Sequence, residues 1–390
     1  MSDLTQRLKN LTPEQQKLLK ARLDKKKTTT AKPAATAPAP KETAAKDGRV
    51  RKMDFGLYFF SDDGTGQTGR KYQLLTDAAR YADENGFGSV WTPERHFQTF
   101  GGLYPNPSVL GAALSTITKN VRIRCGSTVL PLHHPIRVAE EWGVVDNLSD
   151  GRVDISFATG WHQHDYVIRP QNFEDRRKIM FRDIDVVRAL WRGDEVEFTG
   201  VNGEEAKVRT LPRPVQPELP FWITVASPHT FVTAGEMGAN ILTMLPGSPE
   251  DLRENITAYR KARTENGHDP RKGIVSLMLH TFLGDDEAVV KEQSRQPMYR
   301  YLSNYLNQFA SMPGAPKVDN TNDLLAFAFE RYFNTGSLLG TVEKVEPLVS
   351  ALADVGVNDI ACLIDFGVDK KDVMDNMHHL TRLKDAFKGQ

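Results

Sequence analysis

The clearest pattern of apolar and polar residues lies in the second quarter of the chain. Residues 121–130 begin with apolar side chains that alternate with arginines, which is typical of a β-strand. In residues 136–148 apolar side chains recur every three or four positions and predict a helix, which the Asp-Gly pair at 150–151 ends. Residues 153–158, with the sequence VDISFA, predict a second strand. A strand, a helix and a strand in this order form a βαβ unit, in which the two strands are parallel.

The same two patterns alternate along most of the chain. Strands are predicted at 53–60, 89–92, 121–130, 153–158, 221–225, 241–244, 274–283 and 359–364. Helices are predicted at 70–85, 107–118, 136–148, 173–191, 227–237, 248–266 and 341–356, in parts of 291–340, and after the last strand. Residues 196–209, with Asn-Gly at their centre, predict a surface β-hairpin. This alternation predicts an α/β fold, a (β/α)8 TIM barrel with insertions at 51–390.

The first 50 residues predict an appendage to the barrel. Residues 1–27 hold a short amphipathic helix, with Thr12 as its N-cap and Pro13 at its first position. Residues 28–50 consist mainly of Thr, Ala, Pro and Lys, a composition typical of a disordered linker. The helix is a possible docking segment for another protein. A loose tail and a remnant of domain excision are the alternatives.

Composition and charge argue against several classes of protein. The 50 basic and 50 acidic side chains leave no net charge, which argues against a general nucleic-acid or anionic-membrane surface. No apolar run approaches the roughly 20 residues of a membrane span. The N-terminus is polar, unlike a secretory signal, and Cys125 and Cys362 lie in predicted strands far apart in the chain. We therefore expect a cytoplasmic protein with reduced core cysteines.

Ionisable residues gather where the predicted strands end, which is where TIM barrels carry their active sites. Glu94, Arg95 and His96 follow the second strand, and His133 and His134 follow the third. Ion pairs on loops are the simpler explanation of such residues. Several ionisable groups at the active face of a barrel nevertheless favour acid–base chemistry.

A His-x-His motif at 162–164 follows the fourth strand and could bind a metal. Metal-dependent barrel hydrolases usually take this motif from their first strand, and here that strand ends in Phe-Phe-Ser-Asp at 59–62. We therefore expect no metal, and we keep a metal-dependent TIM-barrel hydrolase that uses His162 and His164 as an alternative.

A phosphate site is predicted where the fifth strand leads into a helix. Ala226, Ser227 and Thr230 lie there, and the N–H groups and hydroxyls of a helix N-terminus suit a phosphate. An ordinary N-cap is the simpler interpretation of Ser227, but Thr159 and Gly160 after the fourth strand could complete a pocket. The chain has neither a Gly-x-Gly-x-x-Gly fingerprint nor a P-loop, so a nucleotide is not held in either of those ways.

Four motifs in a fixed order give the chain a resemblance to a known family. They are GFGSVW at 86–91 leading into ERHF at 94–97, VLPLHHPIRVAE at 129–140, LSDGR at 148–152, and GW at 160–161. With them, residues 53–385 resemble the bacterial luciferase-like, flavin-dependent monooxygenases. Segments 54–60 and 91–97 are more narrowly similar to a subgroup associated with polyketide and nonribosomal peptide biosynthesis. Residues 11–19 also resemble a short helix common beside assembly-line domains.

The resemblance implies a cofactor and a reaction. In this family reduced FMN reacts with O₂ to give a flavin C4a-peroxide, which oxygenates a substrate. The residues implied to bind the cofactor are Phe59, Gly126, Ser127, Thr128, Thr159, Gly160, Trp161, Ala226, Ser227 and Thr230. The phosphate is expected near Thr159, Ser227 and Thr230. The ring is expected over 126–128, where relatives often carry a non-prolyl cis peptide bond.

The residue at position 95 departs from the pattern of the family. In bacterial luciferases the corresponding run reads Glu-His-His-Phe, and its first histidine is the catalytic acid–base. Here that position is Arg95, which cannot act as a base near neutral pH. We expect Arg95 to bind an anionic substrate group or the peroxide oxygens. Glu94, His96, His133 and His134 remain the candidates for proton transfer.

These features predict a monooxygenase that depends on other proteins. Its substrate is expected to be an acyl or aminoacyl group tethered to an acyl or peptidyl carrier protein. Because the dinucleotide fingerprint is missing, we expect a separate flavin reductase to supply reduced FMN. We also expect a homodimer. A flavin-binding barrel without turnover is the second alternative.

Overall fold

The structure is a computed structural model that describes residues 53–60, 70–99, 101–160, 162–310 and 321–388. These residues belong to one structural unit, Val50–Gln390. The predicted appendage at 1–50 and Trp161 lie outside the described residues, so what the sequence predicts for them stays a prediction.

The strands of the described residues form a closed parallel barrel. In chain order they are β1 (Asp54–Tyr58), β2 (Ser89–Thr92), β3 (Arg122–Val129), β4 (Val153–Ala158), β5 (Val196–Thr199), β6 (Glu205–Val208), β7 (Phe221–Thr224), β8 (Asn240–Met244), β9 (Val275–Leu283), β10 (Leu338–Gly340) and β11 (Asp359–Leu363). The barrel runs β1-β2-β3-β4-β7-β8-β9-β11 with parallel neighbours throughout, and β11 closes it against β1. The predicted TIM barrel is confirmed. So is the hairpin, formed by antiparallel β5 and β6, whereas β10 is a short addition to β9 that was not predicted.

At least one helix follows each strand of the barrel. The helices are α1 (Gln73–Glu84), α2 (Pro107–Ser115), α3 (Pro135–Ser149), α4 (Arg176–Arg192), α5 (Pro228–Glu236), α6 (Pro249–Glu265), α7 (Glu287–Ala310), α8 (Thr321–Arg331), α9 (Val342–Asp354) and α10 (Lys370–Ala386). The Asp-Gly stop after α3 is confirmed, since Asp150 (φ 57°) and Gly151 (φ 78°) are both left-handed. Within the described residues no helix is long and apolar enough to cross a membrane.

Large side chains fill the interior of the barrel below its mouth. Trp91 and Trp222 meet edge to face with ring centroids 5.8 Å apart. The Arg124 guanidinium lies 4.9 Å from the first ring and 4.6 Å from the second. Its charge is balanced by Asp154 and Asp359, at 2.7 and 3.0 Å. Because this interior is packed with side chains, a ligand must bind at the carboxyl ends of the strands.

Both cysteines are core residues, as the sequence predicts. Cys125 in β3 and Cys362 in β11 are buried and free. Burial raises the pKa of both thiols, so neither is a reactive thiolate near neutral pH.

Candidate active site

Three hydroxyl groups near the carboxyl ends of β3, β4 and β7 are hydrogen-bonded to one another; Thr224 is exposed, and Ser127 and Ser156 are buried. Ser127 Oγ donates to Ser156 Oγ at 3.2 Å and is also hydrogen-bonded to Thr224 Oγ1. Ser156 Oγ lies 3.0 Å from the same Thr224 oxygen. The register of β3 against β4 shifts between Gly126 and Thr128, a bulge of the kind that redirects a side chain beside an active site. Ser156 and Thr224 were not predicted, because each reads as an ordinary strand residue.

Gly126 forms the floor of this mouth. A Cβ at Gly126 would lie 2.8 Å from Trp91 Cε3 and 3.0 Å from Tyr58 Cε2, so only glycine fits there. The Tyr58 hydroxyl donates to the Gly126 carbonyl, and the peptide bond that follows Gly126 is cis, as the resemblance implied. Thr128, by contrast, is buried with its Oγ1 3.1 Å from Cys125 Sγ. Thr128 therefore faces the core rather than the mouth.

A second polar pocket lies at the N-terminus of α5. Ser227 is the N-cap residue, yet its side chain makes no capping bond, and its Oγ lies 2.9 Å from Thr230 Oγ1. Arg177 of α4 donates from Nη1 to the same Thr230 oxygen at 3.3 Å. Ala226, directly before them, is exposed. A guanidinium, two hydroxyls and a helix N-terminus together suit a phosphate dianion.

The turn after β4 is fixed by Tyr166. Its hydroxyl donates to the Thr159 carbonyl, and burial raises the pKa of Tyr166 to about 12, so the hydroxyl stays a donor. Gly160 has a left-handed φ of 64°, and a Cβ there would lie 2.7 Å from Val129 Cγ1. Thr159 and Gly160 are partly exposed, and the contact between Thr159 and a phosphate stays a prediction.

Glu94, at the end of β2, holds two histidines. Its Oε1 accepts hydrogen bonds from His96 Nε2 at 2.8 Å and His133 Nε2 at 2.6 Å, and its Oε2 accepts one from the Val129 N–H at 2.7 Å. Burial by itself raises the pKa of the Glu94 carboxyl, but the charge of His133 and the two histidine hydrogen bonds outweigh burial and lower it. Burial likewise favours neutral His133, but the charge and hydrogen bond of Glu94 raise the pKa of this imidazole. The cluster can therefore hold a proton on His133 beside an ionised carboxylate.

Arg95 belongs to a buried ion pair beside this cluster. Its Nη1 donates to Asp165 Oδ2 at 2.7 Å, and both side chains are almost fully buried. Burial lowers the pKa of Arg95 and raises that of Asp165, and the attraction between the two charges offsets part of this cost. Because Asp165 already neutralises the guanidinium, this geometry does not favour the expected role of Arg95 in binding an anionic substrate group.

Two predicted site residues have structural explanations. His134 is exposed and serves as the N-cap of α3, with Nδ1 accepting the Ile136 N–H at 3.3 Å. Phe59 is fully buried in the core, and only its neighbour Phe60 is partly exposed. The roles of His134 and Phe59 at the active site therefore stay predictions.

The His-x-His motif has a structural explanation in the backbone. His162 Nδ1 accepts the His164 N–H at 3.3 Å and so caps the short 3₁₀ helix Gln163–Val167. The two rings lie 6.4 Å apart. Among the residues that the structure describes, no three or more His, Cys, Asp or Glu side chains are grouped to bind a metal.

Known proteins are similar to this chain in sequence and in fold. A sequence profile of the family described as luciferase-like monooxygenase matches residues 53–358. The oxygenase component of flavin-dependent trigonelline monooxygenase from Acinetobacter baylyi is 26% identical over 327 residues, which cover 81% of this chain and 90% of the relative. The alkanal monooxygenase alpha chain of Photorhabdus luminescens is 24% identical over 303 residues, or 74% of this chain and 83% of the relative. A solved structure, the oxygenating constituent of 3,6-diketocamphane monooxygenase from Pseudomonas putida in complex with FMN, has a TM-score of 0.66 and 19% identity over 86% of this chain and 98% of that chain.

Proposed function

This chain belongs to the luciferase-like monooxygenase family, and on that basis we propose that it uses reduced FMN and O₂ to oxygenate an organic substrate. The observation that carries the proposal is the pocket of Ser227, Thr230 and Arg177. These groups would hold the phosphate of FMN, and the hydroxyls of Ser127 and Thr224 would face its ring. The FMN bound to the diketocamphane enzyme supports this choice of cofactor.

Reduced FMN supplies the electrons that activate O₂, and the protein supplies controlled proton transfer and a dry site. His133 donates its Nε2–H to Glu94, so its exchangeable proton is on Nδ1. Because Glu94 stays ionised, it favours the protonated form of His133 and lets Nδ1 give up or regain a proton during the reaction. Buried Trp91 and Tyr58 exclude water below the floor of the mouth.

We propose that a separate flavin reductase supplies the reduced FMN. The chain has no Gly-rich dinucleotide fingerprint to bind NADH or NADPH. Two of the similar proteins are described as an oxygenase component and an oxygenating constituent, which supports a division of the reaction between two proteins.

We further propose an acyl or aminoacyl substrate carried on an acyl or peptidyl carrier protein, in polyketide or nonribosomal peptide biosynthesis. The support is the narrower resemblance of segments 54–60 and 91–97, together with the predicted docking helix in residues 1–27. We also propose that the protein acts in the cytoplasm as a homodimer.

The test begins with titration of the protein with FMN, followed by chemical reduction and exposure to O₂ with a panel of acyl carrier proteins. We expect FMN to bind and mass spectrometry to show one added oxygen atom on at least one acyl group. Failure to bind FMN would contradict the proposal. NADH or NADPH added to the purified protein should leave bound FMN oxidised, and rapid reduction would contradict the need for a reductase.

A further inference from the structure

His280, near the carboxyl end of β9, is a buried polar residue that the mechanism above does not use. Only 4% of its surface is exposed. Its Nε2 is buried and has no hydrogen-bond partner among the described residues. Leaving a buried polar atom unpaired costs free energy, and such atoms in native proteins call for an explanation.

The side chain of His280 points to the interior of the barrel. Ser276, four residues earlier on β9, accepts a hydrogen bond from Trp222 Nε1 at 3.1 Å and donates to buried Asp359, so it faces inward. Alternate residues of a strand share one face, so Met278 and His280 face inward as well. Met278 is partly exposed although it faces inward, which shows that the interior opens to solvent at this level. His280 is one step closer to the mouth.

Three aromatic rings surround the imidazole. Tyr301 of α7, Phe366 after β11 and Tyr332 after α8 meet it edge to face, with ring centroids 4.4, 5.5 and 5.6 Å away. Tyr301 and Tyr332 are partly exposed, so this aromatic cluster borders solvent. Tyr332 opens a π-helical turn, Tyr332–Gly336, a feature that occurs frequently at functional sites.

The charge state of His280 restricts what it can bind. Burial, with no charged group acting against it, lowers the pKa of His280 to about 3, so the imidazole is neutral near neutral pH. A neutral imidazole offers one N–H donor and one nitrogen acceptor. An uncharged carbonyl or hydroxyl group is its best partner, because burying a carboxylate among aromatic rings without a counter-charge costs much more free energy.

We propose that His280 determines substrate specificity: its Nε2 hydrogen-bonds to the carbonyl or hydroxyl oxygen of an uncharged, largely apolar substrate, whose body packs against Tyr301, Tyr332 and Phe366. This inference rests on the proposed function and names the substrate group that the mouth of the barrel recognises. The carbonyl of an acyl group has the required chemistry.

The test uses two pairs of small probes on the FMN-loaded full-length protein. Acetophenone is compared with ethylbenzene, and benzyl alcohol with toluene, so that each pair differs in the polar group. We expect calorimetric titration or ligand-observed NMR to show that the polar member binds roughly 3- to 10-fold more tightly, as one neutral hydrogen bond allows. In the wild-type protein the ¹⁵N resonances of His280 should shift with acetophenone and not with ethylbenzene.

Three substitutions separate the hydrogen bond from packing. His280→Phe keeps an aromatic ring without nitrogen and should abolish the preference for the polar probes. His280→Gln places an amide nitrogen near the position of Nε2 and should keep it, whereas His280→Asn reaches only the position of Nδ1 and should not.

Each possible failure has a distinct meaning. An unchanged preference in His280→Phe, wild-type resonances that respond alike to both members of a pair, or no binding of any probe would overturn the inference. If a variant fails to fold, the ¹⁵N measurement on the wild-type protein still tests the inference. Failure of the wild-type protein to bind FMN would instead contradict the proposed function. The inference about His280 would then be tested separately, by repeating the probe titrations without FMN.

Discussion

At the scale of single residues, the proposed proton chemistry of the site depends on Glu94. Its carboxylate is buried, but donors from His96, His133 and the Val129 backbone keep it ionised. A buried carboxylate without such donors would take up a proton near neutral pH. The same carboxylate fixes the orientation of both histidines, because each directs Nε2 to one shared oxygen.

Glu94→Gln should lower the pKa of His133 below its ordinary value of 6.5, because burial remains while the attracting charge is lost. NMR titration of the His133 ring measures this change. In the wild type the raised pKa means that the pairing of His133 stabilises the fold at pH values below 6.5, and that this contribution is lost as the pH rises through the folded-state value. Glu140→Gln on α3 is the matched control, since Glu140 pairs with Arg137 and should leave His133 unchanged. An unaltered His133 pKa in Glu94→Gln would contradict the pairing.

The proposed phosphate pocket of Ser227, Thr230 and Arg177 gives a second prediction at this scale. Arg177→Gln, or Ser227→Ala combined with Thr230→Ala, should weaken FMN binding roughly 10- to 100-fold, because a hydrogen bond to a charged group contributes about 1.5–3 kcal/mol. Riboflavin, which lacks the phosphate, should bind the variants and the wild type alike. Lys178→Gln is the control, since Lys178 pairs with Asp175 on the surface. Equal losses for FMN and riboflavin in a fluorescence titration would rule out a phosphate contact.

Arg177 also shows where sequence reasoning reaches its limit. The hydroxyls of Ser227 and Thr230 were predicted because they start a helix after a strand, which is a local signal. Arg177 lies on a different helix, and its exposed side chain looks like any other surface arginine. Only the packing of α4 beside α5 brings it to Thr230. The position of Thr128 was missed for a related reason, since a bulge in β3 changes the direction of side chains without any periodic signal.

At the scale of elements, the long strands and helices were predictable because their burial repeats with a regular period. Short elements were not. β10 has only three residues, and its pairing of Leu338 with Thr281 depends on β9 rather than on its own pattern. The sequence did not predict the 3₁₀ helix Gln163–Val167, because a His-x-His motif indicates metal binding as readily as a helix cap.

The Arg95–Asp165 pair joins that 3₁₀ helix to the end of β2. Asp165→Asn would leave a buried guanidinium without its counter-charge and should lower the free energy of unfolding by about 3–5 kcal/mol. Replacing both residues, with Arg95→Met and Asp165→Leu, should cost much less because no charge is left buried. Asp175→Asn breaks an exposed pair with Lys178 and should change stability by less than about 1 kcal/mol. Urea unfolding measures all three, and a loss in Asp165→Asn no larger than in Asp175→Asn would show that the pair is not a structural anchor.

At the scale of the whole molecule, the packed interior of the barrel and the face that carries the candidate site are different regions. The packed interior around Arg124 and the two tryptophans holds the strands together. The Glu94 cluster, the phosphate pocket and His280 all lie on segments at the carboxyl ends of strands. Substitutions of exposed residues at this face, such as Arg177 and Ser227, can therefore change ligand binding without disturbing the packed interior.

The last prediction concerns the appendage that the sequence places before the barrel. Its linker, residues 28–50, is poor in the apolar side chains needed to pack against a folded domain. Removing residues 1–50 should therefore leave thermal stability and FMN affinity unchanged.

A tethered helix can still raise the effective concentration of a carrier protein to about the millimolar range through a short flexible linker. Truncation should then slow turnover of a carrier-bound substrate and spare a small thioester mimic, as measured by product formation under identical FMN and O₂. Unfolding of the truncated protein, or equal loss with both substrates, would show that residues 1–50 do not act as a docking tether.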